Sequence, residues 1–153
     1  ELIEGIRFTM NPAPLPRHKR ISLQLSIAFE QALENCKPCN VYQAIDWIIS
    51  DDTILQPDVL IVCGEIKHRL DFAPELVVEI LSKATALKDR NNKFHIYEKQ
   101  GVKYYLIINP DNKVVEIYEL KNGSYQLNHP ETRSQFSFSN SCMAKIDFNT
   151  IWH

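Results

Sequence analysis

Apolar positions along the chain alternate between two periods, and each change of period marks an element. Ile21, Leu25, Ala28, Phe29, Ala32 and Leu33 recur at helical spacing and predict an amphipathic helix over about residues 18–35. Pro16 suits the start of that helix, where its missing N–H is harmless, whereas the prolines before it argue against regular structure over residues 1–16. Val41, Tyr42, Ile45, Trp47, Ile48 and Ile49 predict a strand over 41–50, turned by Asp51-Asp52. Two short buried strands follow at 58–63 and 75–82, separated by a polar loop. The second is apolar almost throughout, as befits a central strand covered on both faces.

Helical spacing then returns. Leu87, Phe94 and Tyr97, with Ile96 beside them, predict a helix over about 85–100, and Gly101 supplies its stop. Tyr104, Leu106 and Ile108 alternate along a strand at 103–109, and Asn122-Gly123 predicts a tight hairpin between 114–120 and 124–128. The tail, with Phe136, Phe138, Met143, Ile146, Phe148, Ile151 and Trp152, is apolar enough to pack but too irregular to divide into elements. The order α-β-β-β-α-β plus a C-terminal hairpin predicts an α/β (α+β) fold. It is a mixed sheet in which the strand–helix–strand unit at 75–109 makes a parallel crossover.

Composition narrows the function classes only modestly. With 153 residues, 44% of them hydrophobic, the expectation is one domain over 1–153. No apolar run reaches the roughly 18–20 residues of a membrane span, and Glu1 and Glu4 are acidic where a signal peptide would be basic, so a cytoplasmic protein is expected. A net charge of -2 gives no global attraction for nucleic acid, so an anionic substrate must be met by a local patch or a metal ion. Arg17, Lys19 and Arg20 crowd the first turn of the first helix, against its dipole; they are either a solvated basic end or a contact for an anionic ligand.

Four cysteines, Cys36, Cys39, Cys63 and Cys142, include one CxxC. A redox CxxC normally opens a helix after a strand, and this one follows a helix. A zinc site would require Cys63 and Cys142 to converge on it, and neither has a CxxC of its own. Structural or incidental thiols are the expectation, and a reducing cytoplasm argues against disulfides.

Two carboxylates interrupt the buried strands: Asp58 at the mouth of one, Glu79 inside the other. An unpaired buried carboxylate costs several kcal/mol, so such a group is paired, protonated or metal-bound. Two carboxylates on neighbouring strands suit Mg²⁺ or Mn²⁺, with the main-chain carbonyl of Ile80 as a further oxygen ligand. Hydrolysis of a phosphodiester there would gain from a fixed cation. Lys93 is the candidate, with Lys83 and Lys88 as competitors. Simpler readings stand beside these: Asp89 and Lys93 as an exposed i, i+4 pair, Glu79 paired with Arg90 or Lys93, Asp58 capping a turn after Pro57, and His18 at a helix start.

Taken together, these residues are similar to a known family. Pro57-Asp58, the run Glu75-Leu-Val-Val-Glu79-Ile-Leu-Ser82, Asp89, Lys93 and Gly101-Val-Lys-Tyr-Tyr-Leu-Ile-Ile-Asn-Pro110 resemble the Uma family of restriction-endonuclease-like proteins, of the PD-(D/E)XK nuclease superfamily. The opening Glu1-Leu-Ile-Glu-Gly5, the loop Met10-Asn-Pro-Ala-Pro14 and His18 resemble it as well. The resemblance implies a restriction-endonuclease-like fold and metal-dependent endonuclease activity on nucleic acid, DNA foremost. The metal would lie on Asp58, Glu79 and Ile80, and Asp58, Glu79 and Lys93 would be catalytic. Leu81 stands where the superfamily's lysine is expected, and members resembling this chain supply that lysine from the following helix, which again indicates Lys93. A homodimer would let one small domain cut two strands. The alternative is a binding or scaffold protein that keeps the fold without turnover.

Overall fold

The structure is a computed structural model and describes residues 1–9, 15–128 and 132–153. The predicted proline-rich loop at 10–14 lies outside the described residues. Its centre is a six-stranded mixed sheet in the order β10-β9-β8-β7-β6-β3. In chain order these strands are β3 (Cys39–Gln43), β6 (Val59–Cys63), β7 (Leu76–Ile80), β8 (Tyr104–Asn109), β9 (Val114–Lys121) and β10 (Ser124–Asn128). Only β7 and β8 run parallel, joined by the predicted helical crossover; the other neighbours are antiparallel. Every residue of β7 is buried, as a central strand covered on both faces requires.

One face of the sheet meets helix α1 (Pro16–Ala32), which opens on Pro16 as predicted and buries Ile21, Leu25 and Phe29 against Val59, Ile61, Val78 and Leu106. The tail joins this layer. It forms a hairpin of β11 (Arg133–Ser137) and β12 (Met143–Asp147), and Phe136, Ile146, Phe148 and Ile151 pack into the same core.

The opposite face meets the second helix and a small four-stranded sheet in the order β2-β1-β5-β4. That sheet comprises β1 (Leu2–Ile3), β2 (Ile6–Arg7), β4 (Trp47–Ser50) and β5 (Thr53–Leu55). Two sequence expectations are corrected here. Residues 1–16 are not wholly irregular: Leu2–Ile3 and Ile6–Arg7 pair about Glu4-Gly5, both at positive φ. The predicted strand 41–50 is two strands in two sheets, broken where Ala44 takes a φ of +47°. Apolar residues run through the break, so the pattern could not reveal it.

The second helix, α2, runs over 86–100 in three segments: α-helical Ala86–Lys88, π-helical Asp89–Lys93 and α-helical Phe94–Gln100, ended by Gly101 at φ +79°. π segments are uncommon and frequently occur at functional sites. Leu87, expected on the apolar stripe, is 77% exposed, because the buried face begins with Asp89 and Lys93 and continues to Tyr97. No helix of the described residues is long and apolar enough to cross a membrane.

The cysteines are also a correction. Cys36 is joined to Cys142 and Cys39 to Cys63, pairings that close 106 and 24 residues of chain. Spacing along the sequence gave no sign that the α1–β3 loop and the tail would meet.

Candidate functional site

Antiparallel pairing of β6 with β7 sets Val59 opposite Val78, so Asp58 and Glu79 leave this ladder as the next cross-strand neighbours. Alternation puts Glu79 on the face that carries Val77, Leu60, Tyr97 and Tyr105, under α2 and the small sheet. Asp58, at the strand mouth and half-buried, accepts the Ile80 N–H on Oδ2 at 2.8 Å, and His18 Nε2 on α1 lies 3.2 Å from the same oxygen. Asp58 therefore holds the neighbouring strand rather than capping a local turn. His18 Nδ1 is buried without a partner among the described residues.

Glu79 is 3% exposed and receives two donors on Oε1, the Lys93 ammonium at 2.8 Å and the Tyr97 hydroxyl at 2.6 Å. Among the described residues, the recorded contacts of both carboxylates fall on one oxygen each, leaving Oδ1 of Asp58 and Oε2 of Glu79 without a protein donor. Lys93 itself is buried and touches three carboxylates: Glu79, Glu1 Oε1 at 2.8 Å and Asp89 Oδ1 at 3.4 Å. The Asp89–Lys93 pair expected on the surface thus exists, but in the interior.

Glu1 reaches this cluster through the small sheet. Leu2 pairs with Ile54 of β5, which brings the Glu1 carboxylate within 3.1 Å of the Gln56 N–H and against Lys88 as well as Lys93. Arg90, a predicted alternative partner of Glu79, instead grips Glu116 on β9 with both guanidinium nitrogens. Lys83 is exposed.

Burial dominates the electrostatics. It drives the Glu79 carboxyl well above its ordinary value, against the pull of Lys93 and with further upward pushes from Asp89, Asp58 and Glu1. Burial likewise raises Asp89 against Lys93. At Glu1 burial would raise the carboxyl too, but the charge of Lys93 and hydrogen bonds from Lys88, Lys93 and the Gln56 amide overcome it and bring the value down to about 2. Burial would lower Lys93, yet Glu79, Glu1 and Asp89 raise it above its ordinary value. Lys93 is therefore a permanent cation, unable to take a proton from water. Tyr97, its hydroxyl buried and facing Glu79, is raised far enough to serve only as a donor.

Sequence reasoning missed Glu1 and Tyr97 as members of this cluster and treated His18 as a helix-start residue. A signal for Glu1 was present: Leu2-Ile3 and Ile6 flank Glu4-Gly5, a hairpin pattern that would have put residue 1 on a sheet. Tyr97 gave none beyond its place on the apolar stripe.

A family model described as Uma2, putative restriction endonuclease, matches residues 1–144. Solved structures similar to the chain include a putative nuclease belonging to DUF820 from Anabaena variabilis ATCC 29413. It has 16% sequence identity over 92% of this chain and 83% of that one, with a TM-score of 0.72, a likeness that carries the fold. No curated protein matches the chain.

Proposed function

We propose that this chain, which belongs to the Uma2 family of putative restriction endonucleases, is a nuclease that hydrolyses DNA phosphodiester bonds with the help of Mg²⁺ or Mn²⁺. One observation carries the reading. Asp58 and Glu79 meet across neighbouring strands at the edge of a buried charge cluster, each with one oxygen free of protein donors among the described residues. The donor set is hard oxygen. When all are ionised, Glu1, Asp58, Glu79 and Asp89 outnumber Lys88 and Lys93 by two charges, which a divalent cation would neutralise. Asp58, Glu79 and the Ile80 carbonyl would hold such an ion, which supplies Lewis-acid polarisation of the phosphodiester and a bound water of lowered pKa.

The chain's own side chains do the rest. Lys93 and Tyr97 fix Oε1 of Glu79 from the inside, which orients the other oxygen outward. The ammonium of Lys93 is a buried, preorganised positive charge behind Glu79 that would offset part of the negative charge gathering at the site. The Ile80 N–H anchors Asp58 in the same way. The basic first turn of α1 joins the site through His18, and the exposed Arg17 and Lys19 on either side of it in the chain would serve as contacts for a polyanion, whereas Arg20 donates to the His153 carbonyl at 3.1 Å. We take residues 1–153 as one nuclease unit that pairs as a homodimer to cut both strands.

The test is cleavage of plasmid and oligonucleotide by the purified chain. Activity should require Mg²⁺ or Mn²⁺, stop with EDTA, and fall at least about 100-fold in Asp58→Ala and in Glu79→Ala. Cleavage that survives in both variants would belong to another protein. Metal binding with no cleavage of any nucleic acid would leave the chain a scaffold that keeps the fold.

A further inference from the structure

The four cysteines come from separate pieces of chain and meet at the opposite end of β6 from Asp58. Cys36 follows α1, and Cys39 opens β3 with its N–H bonded to the Cys36 carbonyl at 3.1 Å, so the CxxC closes as a tight turn. Cys63 ends β6 directly opposite Cys39 in the antiparallel register, and Cys142 precedes β12. The sulfurs of Cys36, Cys39 and Cys142 lie within 4.8 Å of one another, and Cys63 is bonded to Cys39.

Two independent disulfides need only meet in pairs, whereas here the sulfur of one pair lies against those of the other. Tetrahedral zinc, with Zn–S about 2.3 Å, spaces its sulfurs about 3.8 Å apart, and the Cys39 sulfur, within 4.8 Å of those of Cys36 and Cys142, comes near that spacing. The Cα atoms of Cys39 and Cys63 are 3.9 Å apart, closer than the roughly 4.4–6.8 Å usual for a disulfide. Leu33 and Phe138 border the cysteines in one apolar cluster, so soft sulfur is the donor set on offer, the chemistry that selects zinc over magnesium.

We propose that Cys36, Cys39, Cys63 and Cys142 form a structural Zn²⁺ site, with the two disulfides as its oxidised, metal-free form. Reduction by a phosphine delivers two electrons to each disulfide. The attacking water gives its oxygen to the phosphine oxide and its two protons to the thiolates. Zn²⁺ then displaces the four thiol protons to make a Zn(Cys)₄ centre that ties the α1–β3 turn, the sheet and the C-terminal hairpin together.

The experiment uses the full chain, reduced with a phosphine under nitrogen, freed of the reagent and titrated with Co²⁺ and then Zn²⁺. The expected result is one equivalent of Co²⁺ with thiolate-to-metal charge-transfer absorption and the intense visible bands of a tetrahedral site, displaced by Zn²⁺. The signal should vanish in Cys36→Ser/Cys39→Ser and persist in Asp58→Ala/Glu79→Ala, which separates it from any metal at the carboxylates. A reduced chain that takes up no Co²⁺, a spectrum without sulfur bands, or uptake retained in the cysteine variant would overturn the proposal. If that variant fails to fold, thiol reactivity of the wild type decides: four reactive thiols should become protected when Zn²⁺ is added, and unchanged reactivity refutes the site.

Discussion

β6 ends in two clusters of opposite chemistry, about 17 Å apart along the strand. At Asp58 the chain gathers oxygen: four carboxylates, two lysines and a tyrosine, mostly buried, with burial raising Glu79 and Asp89 while the lysines bring Glu1 down against it. At Cys63 it gathers sulfur in an apolar cluster, and among the described residues the buried charges Glu79, Asp89 and Lys93 all lie at the other end. A buried carboxylate remains ionised only with a compensating charge, so the first end must carry its lysines or a cation. A thiol buries as a neutral hydrophobe, so the second end is stable as thiols, disulfides or a thiolate centre. The oxygen end announces itself through pKa displacement, whereas cysteines joined as disulfides do not titrate.

The largest expected effect tests whether the two ends are separate. Asp58→Ala and Glu79→Ala should each lower divalent-ion-dependent cleavage at least about 100-fold. Cys36→Ser/Cys39→Ser should change stability and leave the divalent-ion requirement of cleavage in place. A cleavage loss of equal size in the folded cysteine variant would join the two ends into one site.

Next in size is the lysine. Lys93→Met leaves Glu1, Glu79 and Asp89 buried around an apolar side chain, and breaking such a cluster costs about 3–5 kcal/mol. Denaturant unfolding at neutral pH should register that loss, which shrinks in acid as the carboxylates protonate. A variant as stable as the wild type at neutral pH would mean that the carboxylates are already neutral and that Lys93 compensates nothing.

Glu79 and Glu1 make the pH dependence two-signed. Glu79 titrates above its ordinary 4.5, so its contribution to metal-free stability is full below that value and is lost as pH rises through its native value. Glu1 titrates at about 2, so its contribution is present above 4.5 and is lost as pH falls toward 2. Mg²⁺ needs Glu79 ionised, so the stability gained from Mg²⁺ should grow with pH across the Glu79 titration and carry release of a proton. Unfolding curves with and without Mg²⁺, and calorimetry in buffers of different ionisation enthalpy, measure both. A Mg²⁺ effect that is flat with pH would take Glu79 out of the ligand set.

The oxygen end was legible in part because its main signals are local. A carboxylate inside Leu76-Val77-Val78-Glu79-Ile80 is anomalous whatever surrounds it, and the strand order that pairs it with Asp58 follows from the hydrophobic periods. Lys93 became legible chiefly through the family resemblance, which puts the missing lysine on the following helix, because its own spacing also allowed an exposed pair with Asp89. Glu1 was legible only as far as its own hairpin, because it reaches the cluster by a pairing of residue 2 with residue 54. The sulfur end was illegible for the same reason at greater range, since Cys36 and Cys142 meet only after the tail folds back over α1. The split of 41–50 between two sheets was hidden because the break falls on an alanine, which neither Gly nor Pro flags.

The smallest expected effect probes how Glu79 is aimed. Tyr97→Phe removes one hydroxyl that donates to Oε1 while keeping the ring's stack on Trp47 at 5.9 Å and its edge contact with Tyr105 at 4.9 Å. Lys93 still holds the same oxygen, so the stability loss should sit near the low end of a charge-assisted hydrogen bond, about 1.5 kcal/mol. The hydroxyl favours the ionised carboxylate, so its loss should raise Glu79 further and weaken Mg²⁺ binding several-fold at neutral pH, with recovery at higher pH. A tyrosine that only packs would give a different pattern: stability would fall, while Mg²⁺ affinity and its pH profile stayed where they were. Calorimetric titration of the wild type and Tyr97→Phe at two pH values separates the two outcomes.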